Sequence, residues 1–336
     1  MSGEFALAIL IFLASAAAVI YFGTSLAKYG DALATLTGWG RLFVGSALLA
    51  VATSLPELST NISAVRLTPP NPELALGNVM GANMINMFTL AVVGLLFGGK
   101  RFLQRVSPEQ AYLILLALLM TGLGVLFAAL RLNAGLFNIG ISAVILLVVY
   151  FVGMYIVYTK RPQSNAAEVE ESGDPGMTLT WACTMFGLAS VGVIIAGFFL
   201  AYSVDSIATI TGVASSTLGI LVVSMVTTMP EASSTIAAAR IGAMDLGVGG
   251  LYGSCAFNVT ILAFADPFYR QGIVINQSEP AHFVAGTVAI GLILLGLALI
   301  MGRHRLPAPL AAAGLTLMAG VYITGAMVVA TLGAPS

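Results

Sequence analysis

The chain has 336 residues, of which 59% are hydrophobic and 8% charged, and its formal net charge is −1. A soluble domain carries about 25% charged residues, so 13 basic and 14 acidic side chains are too few to cover a soluble surface of this size. A disordered chain, a nucleic-acid binder (which needs a basic footprint) and a disulfide scaffold are excluded too, because the two cysteines, Cys183 and Cys255, stand in apolar surroundings. A polytopic membrane protein remains.

A spanning helix needs about 20 mostly apolar residues. That window predicts ten spans, at 4–27, 40–65, 73–97, 108–129, 134–158, 178–203, 214–239, 245–267, 281–302 and 307–331. Long apolar runs, rather than alternation, predict helices and exclude a barrel. The start, Met1-Ser2-Gly3-Glu4, has no basic segment, which predicts that the first span is retained. The one long polar stretch, 160–177, holds Glu168, Glu170, Glu171 and Asp174 and reads as a solvated linker. It divides the chain into a five-helix unit at 1–159 and a second at 178–336. With the N-terminus outside, Lys28, Arg41, Lys100, Arg101, Arg105, Lys160, Arg161, Arg240, Arg303 and Arg305 lie inside, against Arg66, Arg131 and Arg270 outside. The expected placement is the plasma (inner) membrane, with both termini outside and the acidic linker in the cytoplasm.

The two units superimpose at an offset of 174 residues. Asp31 meets Asp205, Gly45 meets Gly219, Thr53 meets Thr227, Pro56 meets Pro230, Glu57 meets Glu231 and Arg66 meets Arg240. After a two-residue slip, Gly77, Gly81 and Asn86 meet Gly249, Gly253 and Asn258. Matches at Asp, Pro, Glu, Asn and Arg are rare in Leu/Ala-rich sequence, so they establish an internal repeat with signature regions at 45–90 and 219–266. An odd number of spans per unit predicts that the second unit is inverted relative to the first. Inverted repeats are an architecture of secondary transporters, with sites near the midplane where the units meet.

Glu57 and Glu231 are the two clearest carboxylates deep in apolar sequence. An ionised carboxylate there costs roughly 2.5–3.5 kcal/mol even on a lenient scale. No Lys or Arg lies mid-span as a partner, so a cation or a proton must supply the positive charge. Pro56 and Pro230 break the helical hydrogen-bond ladder and free carbonyls. Thr53 and Thr227 each stand four residues before their Glu and share its face. Ser54 and Thr228 add hydroxyls, and Asn86 and Asn258 can add neutral oxygens. Carboxylates, carbonyls and hydroxyls are hard ligands that suit Ca2+ or Na+. His282 and His304 stand at span ends and read as interfacial.

Thr-Ser-Leu-Pro-Glu (53–57) followed by Gly-Asn-Val-Met-Gly-Ala-Asn-Met-Ile-Asn (77–86) resembles the first signature repeat of the cation/calcium exchanger superfamily. Thr-Thr-Met-Pro-Glu (227–231) followed by Gly-Ser-Cys-Ala-Phe-Asn (253–258) is similar to the second, and the resemblance covers essentially the whole chain. It implies an all-α membrane protein of ten helices in two inverted repeats, exchanging Ca2+ for Na+ by alternating access. It further implies Glu57 and Glu231 as shared central ligands, with Thr53 and Thr227 giving carbonyl and hydroxyl oxygens. Ser54, Thr228 and Ser254 would add Na+ ligands, and the carbonyls of Ala50 and Ser224 would complete the outer Na+ sites. Spans 1 and 6 would slide as a gating pair. The sequence departs from the pattern at Ala82, where serine is usual, at Cys255, where asparagine is usual, and at Asn258, where many members carry aspartate.

These departures keep a proton-driven Ca2+ exchanger open as the alternative. Transport of another divalent such as Mn2+ or Mg2+, a cation channel, and a non-transporting scaffold are further readings. No nucleophile/base pair or cofactor motif supports an enzyme. The expected partners are the bilayer, Ca2+ and Na+ (or H+), with no resident cofactor and a monomeric working unit.

Overall fold

The computed structural model describes residues 2–36, 51, 53–136, 139–160 and 177–334. Ala50, the Asp31 side chain and nearly all of the acidic linker lie outside the described residues. So does much of the predicted span 40–65.

The described chain is nearly all helical. Apolar runs with few breakers give α1 (Ser2–Leu36), then α2 (Leu55–Val65) and α3 (Pro72–Leu96). A short α4 (Lys100–Gln104) leads into α5 (Gln110–Leu130) and α6 (Ile141–Thr159). Beyond the linker come α7 (Leu179–Thr211), α8 (Ser215–Leu218), a π-helical turn at Gly219–Val223, α9 (Ser224–Thr227) and α10 (Met229–Arg240). α11 (Met244–Ala265), α12 (Pro280–Gly302) and α13 (Ala308–Leu332) complete the bundle.

Eight of these helices are long and apolar enough to cross a membrane. The bent pair Ser215–Thr227 and Met229–Arg240, with a 43° break, makes a ninth candidate among the described residues. The predicted span 134–158 starts later than expected, at Ile141. Gly135–Leu136 (β1) and Ile139–Gly140 (β2) form a small antiparallel hairpin first. The predicted span 214–239 is one broken element: Pro230 sits in the first turn of α10, where its missing N–H is harmless, and the chain bends before it. Pro56 has the same place in α2.

α3 and α11 are buried over most of their length and form the centre. α12 and α13 pack on α3, while α5 and α6 pack on α11. α1 runs along α7 at the side of this body. α7 lies against α2, and α1 lies against α10. Small residues permit the closest crossing. A β-carbon at Gly77 would lie 2.5 Å from the Ser216 carbonyl, and one at Gly81 would lie 2.3 Å from the Ile220 carbonyl. Backbone therefore meets backbone where α3 crosses the π turn.

Candidate cation site

The proline breaks place the two acids. Each helix restarts just before its proline, at Leu55 and at Met229, so Glu57 and Glu231 fall in the first turns of α2 and α10. The N-terminal end of a helix carries partial positive charge, which favours a carboxylate there. Both side chains are buried, Glu57 at 0% and Glu231 at 2% exposure. They lie close enough to repel one another. Among the described residues, no basic side chain is among the groups acting on either.

The surroundings cross between the two units. Ser54 donates to Glu231 Oε1 at 3.2 Å, and Ser254 donates to the same oxygen at 3.3 Å. The two hydroxyl oxygens are 3.4 Å apart. Thr53 lies beside Glu231, and Thr227 lies beside Glu57. The Thr227 hydroxyl donates to Asn78 Oδ1 at 3.0 Å, and Asn78 in turn donates to Asn61 at 2.9 Å. Among the described residues, both oxygens of Glu57 and Oε2 of Glu231 complete no hydrogen bond. Three of the four carboxylate oxygens thus lack a completed hydrogen bond among the described residues, and unpaired charge inside a protein is costly.

The structure separates the sequence-predicted residues into groups. Glu57, Glu231, Thr53, Ser54, Thr227 and Ser254 converge on one locus. Thr228 is buried but its hydroxyl donates to the Ser224 carbonyl at 2.7 Å, and the Thr227 hydroxyl also reaches that carbonyl at 3.4 Å. The Ser224 carbonyl is therefore engaged within its own helix. Among the described residues Asn258 donates to Asn83 Oδ1 at 3.1 Å and its own Oδ1 completes no hydrogen bond, while Asn86 lies beside Cys255. Among the described hydrogen bonds, none joins Asn86 or Asn258 to either glutamate. Ala82, where the resemblance expects serine, offers no hydroxyl to mirror that of Ser254.

Sequence reasoning passed over Asn61, Asn78, Asn83 and Thr121 as site residues. Asn83 bridges the units, donating to Thr121 Oγ1 and to the Cys255 carbonyl, each at 3.1 Å. An amide at membrane depth is a signal in itself, and Asn61 stands mid-helix in a buried segment shared with Ser59 and Thr60. Asp205, the repeat mate of Asp31, accepts from Asn71 at 2.5 Å; Asn71 also donates to Ser215 and caps α3 through Leu74 N–H. Asp266 accepts from the Gly140 and Val274 amides, each at 2.8 Å, which fixes the β1–β2 hairpin. His282 closes the start of α12 by accepting from the Glu279 amide at 2.8 Å. These three are structural clasps.

Among the described residues, no three His, Cys, Asp or Glu side chains cluster as a metal site. The locus offers two carboxylates and neutral hydroxyl oxygens, a donor set for a hard cation and not for a thiolate-seeking one.

Comparison with known proteins agrees with the architecture. The sodium/calcium exchanger protein family matches residues 7–159 and 181–332. The inner membrane protein YrbG of Escherichia coli (strain K12) is 22% identical over 315 residues, 92% of this chain and 93% of that protein. The crystal structure of the H+/Ca2+ exchanger CAX superimposes with a TM-score of 0.67 at 13% identity, covering 97% of this chain and 88% of the other. The sodium-calcium exchanger NCX_Mj superimposes with a TM-score of 0.57 at 18% identity, covering 97% and 99%. Likenesses of this identity establish a shared fold. The spanning helices and the matches over both repeats make the chain an integral membrane protein that belongs to the sodium/calcium exchanger family of transporters.

Proposed function

We propose that the protein exchanges Ca2+ for Na+ across the membrane by alternating access, with Glu57 and Glu231 as the shared cation ligands. The observation that carries this reading is the buried pair of carboxylates that repel one another, three of whose four oxygens complete no hydrogen bond among the described residues. Two negative charges in a medium of low dielectric repel strongly. One Ca2+ or two Na+ neutralise them, and the two sets compete for the same oxygens. The neutralised site can be enclosed and carried; the empty one resists enclosure. Exchange, rather than leak, follows from that difference.

The ten-helix, inverted arrangement belongs to the same proposal. It is supported by the 174-residue offset and by the crosswise packing of α7 on α2 and α1 on α10. Thr53, Ser54, Thr227 and Ser254 supply the hydroxyl oxygens around the pair. Thr228 remains a hydroxyl ligand for Na+ in this reading, Asn86 and Asn258 sources of neutral oxygens, and the carbonyls of Ala50 and Ser224 the outer Na+ ligands; Thr228 and the Ser224 carbonyl serve only once the hydroxyls now bonded to that carbonyl turn away. α1 and α7, packed on each other at the side of the central body, are the pair that slides. Both termini are placed outside and the working unit is the single chain.

A proton-driven exchange is the second reading, favoured by one asymmetry. Among the described residues Glu231 has three hydroxyls beside it, those of Thr53, Ser54 and Ser254, whereas Glu57 has that of Thr227, and Ala82 offers no hydroxyl to mirror Ser254. Sodium has fewer oxygens to hold it on that side. The deciding experiment is Ca2+ uptake into proteoliposomes under an imposed outward Na+ gradient or an imposed pH gradient. Uptake with Na+ alone supports the first reading, uptake with the pH gradient alone the second. Dissipative flux with neither coupling rejects both.

A further inference from the structure

Two pairs of connecting stretches occupy equivalent places in the two units, and they differ in charge. The stretch 97–109 joins α3 to α5, and 266–279 joins α11 to α12. Likewise 131–140 joins α5 to α6, and 303–307 joins α12 to α13. At one end of the bundle 131–140 meets 266–279, and the two are tied directly. Arg131 donates to the Ser278 carbonyl at 3.0 Å. The Asn276 amide donates to the Leu132 carbonyl and to Asn133 Oδ1, each at 3.0 Å. The charges in these two stretches balance, with Arg131 and Arg270 against Asp266 and Glu279.

At the opposite end 97–109 meets 303–307. α4 lies against α12 and α13, and a β-carbon at Gly99 would lie 3.9 Å from that of Ala312 in α13. Phe102 and Leu103 are the buried residues of α4. Lys100 is left half-buried, and Arg101 and Arg105 are exposed. The other stretch carries Arg303, His304 and Arg305, the last two exposed. Arg303 is buried; its Nη1 donates to the Ile300 carbonyl at 2.6 Å, and its Nε completes no hydrogen bond among the described residues. Glu109 is the one acid in either stretch. Asp245 of α11 also reaches this end, where it accepts from the Ser107 amide at 2.7 Å. Lys100, Arg101, Arg105, Arg303 and Arg305 thus outnumber the acids, and the described backbone hydrogen bonds of each stretch close its own turns. Leu96, Met301 and Leu310, which flank the basic groups in sequence, stand exposed at the ends of α3, α12 and α13.

We propose that this end of the bundle binds an anionic phospholipid, such as phosphatidylglycerol, whose phosphate bridges the α3–α5 connection and the α12–α13 loop. Like charges on two stretches that meet repel one another. The equivalent pair at the other end is joined by hydrogen bonds; here an anion takes that part. A guanidinium matches a phosphate in shape and charge, and can give it two parallel hydrogen bonds. Basic groups just beyond the ends of spanning helices draw anionic headgroups to the membrane surface. The exposed Leu96, Met301 and Leu310 select a lipid over a free phosphate, because they offer hydrocarbon contact to the acyl chains. The bridge braces α3, α5, α12 and α13, which belong to the central body and not to the α1–α7 pair at its side.

The test is native mass spectrometry of the purified full chain after relipidation with phosphatidylglycerol or phosphatidylethanolamine. The wild type is expected to retain one phosphatidylglycerol several-fold better than phosphatidylethanolamine. Arg101→Gln combined with Arg305→Gln, at two exposed positions, brings phosphatidylglycerol down to the level of the other lipid. Lys100→Gln serves if that variant is not recovered. Arg270→Gln, at the opposite end of the bundle, leaves the preference intact. Equal retention of the two lipids by the wild type overturns the proposal. A preference that survives in the double variant, or that Arg270→Gln removes as fully, overturns the site. Inorganic phosphate in excess leaves most of the lipid bound; complete displacement would make free phosphate the occupant and overturn the lipid assignment. None of these readouts involves ion transport, so the inference stands or falls apart from the exchange mechanism.

Discussion

Replacing Glu57 with glutamine tests the cation site most directly. Among the described residues neither Glu57 oxygen completes a hydrogen bond, with only the Thr227 hydroxyl and its own backbone beside it, so the substitution removes charge at little cost in bonds to those residues. Glu57 also repels Glu231, so in the absence of cations the variant is expected to melt at or above the wild-type temperature. With Ca2+ the sign reverses. Removing one partner of a buried ionic contact costs about 3–5 kcal/mol, which weakens binding by roughly two to nearly four orders of magnitude. At a Ca2+ concentration 100 times the wild-type Kd, the wild type gains about 2.7 kcal/mol. A variant bound 100-fold more weakly gains only about 0.4 kcal/mol at that concentration. At about 2–4 °C per kcal/mol, the wild-type melting temperature rises by roughly 5–10 °C and that of the variant by about 1 °C. A thermal melt in detergent, with and without Ca2+, reads both signs. A Ca2+-dependent rise of wild-type size in the variant, or a fall of several degrees without Ca2+, would refute the reasoning.

Three other substitutions probe the surroundings. Asn258→Asp places a third carboxylate beside Asn83 and should change which gradient drives Ca2+ uptake into proteoliposomes; an unaltered ion dependence would put this position outside the transport path. Gly81→Val drives a side chain into the Ile220 carbonyl, 2.3 Å from the β-carbon, and into Ser224 Oγ at 2.6 Å. Such overpacking costs typically about 1–3 kcal/mol, and a wild-type melting curve would show that α3 and the π turn do not meet so closely. Asn71→Ala removes the cap of α3 together with the bond to Asp205. Loss of the cap alone costs roughly 0.5–2 kcal/mol, and hydrogen exchange should rise in the first turn of α3 and the last turn of α7; unchanged protection at both would show that the clasp contributes nothing.

Much of the architecture was legible in the sequence because membrane solvent imposes a simple rule. Backbone groups in hydrocarbon must be satisfied within the segment, so long apolar runs become helices. The runs therefore announced α1, α3, α5, α6, α7, α11, α12 and α13. The Pro-Glu pairs announced the helix restarts, because proline is tolerated in a first turn and not within a helix. The same logic made Glu57 and Glu231 conspicuous, since few other acids lie so deep.

The networks around those acids had no such signal. α3 and α11 are buried on nearly all sides, so periodicity does not reveal which face a residue presents. Asn78 and Asn83 stand in the same signature segment, yet one serves Thr227 and Asn61 while the other joins Asn258, Thr121 and the Cys255 carbonyl. Thr228 and Ser254 read as equivalent hydroxyls, but only Ser254 reaches a glutamate. The hairpin before α6 and the π turn depended on distant partners, Asp266 and the glycines of α3.

The order of residues thus determined the class of protein, the repeat and the two acids, because each follows from local hydrophobicity and backbone chemistry. Which oxygens surround those acids, and which connecting stretches meet, was decided only when segments more than 130 residues apart came together. Contact between distant helices depends on side-chain size and direction at each crossing, and neither is written in the run of residues along any one helix.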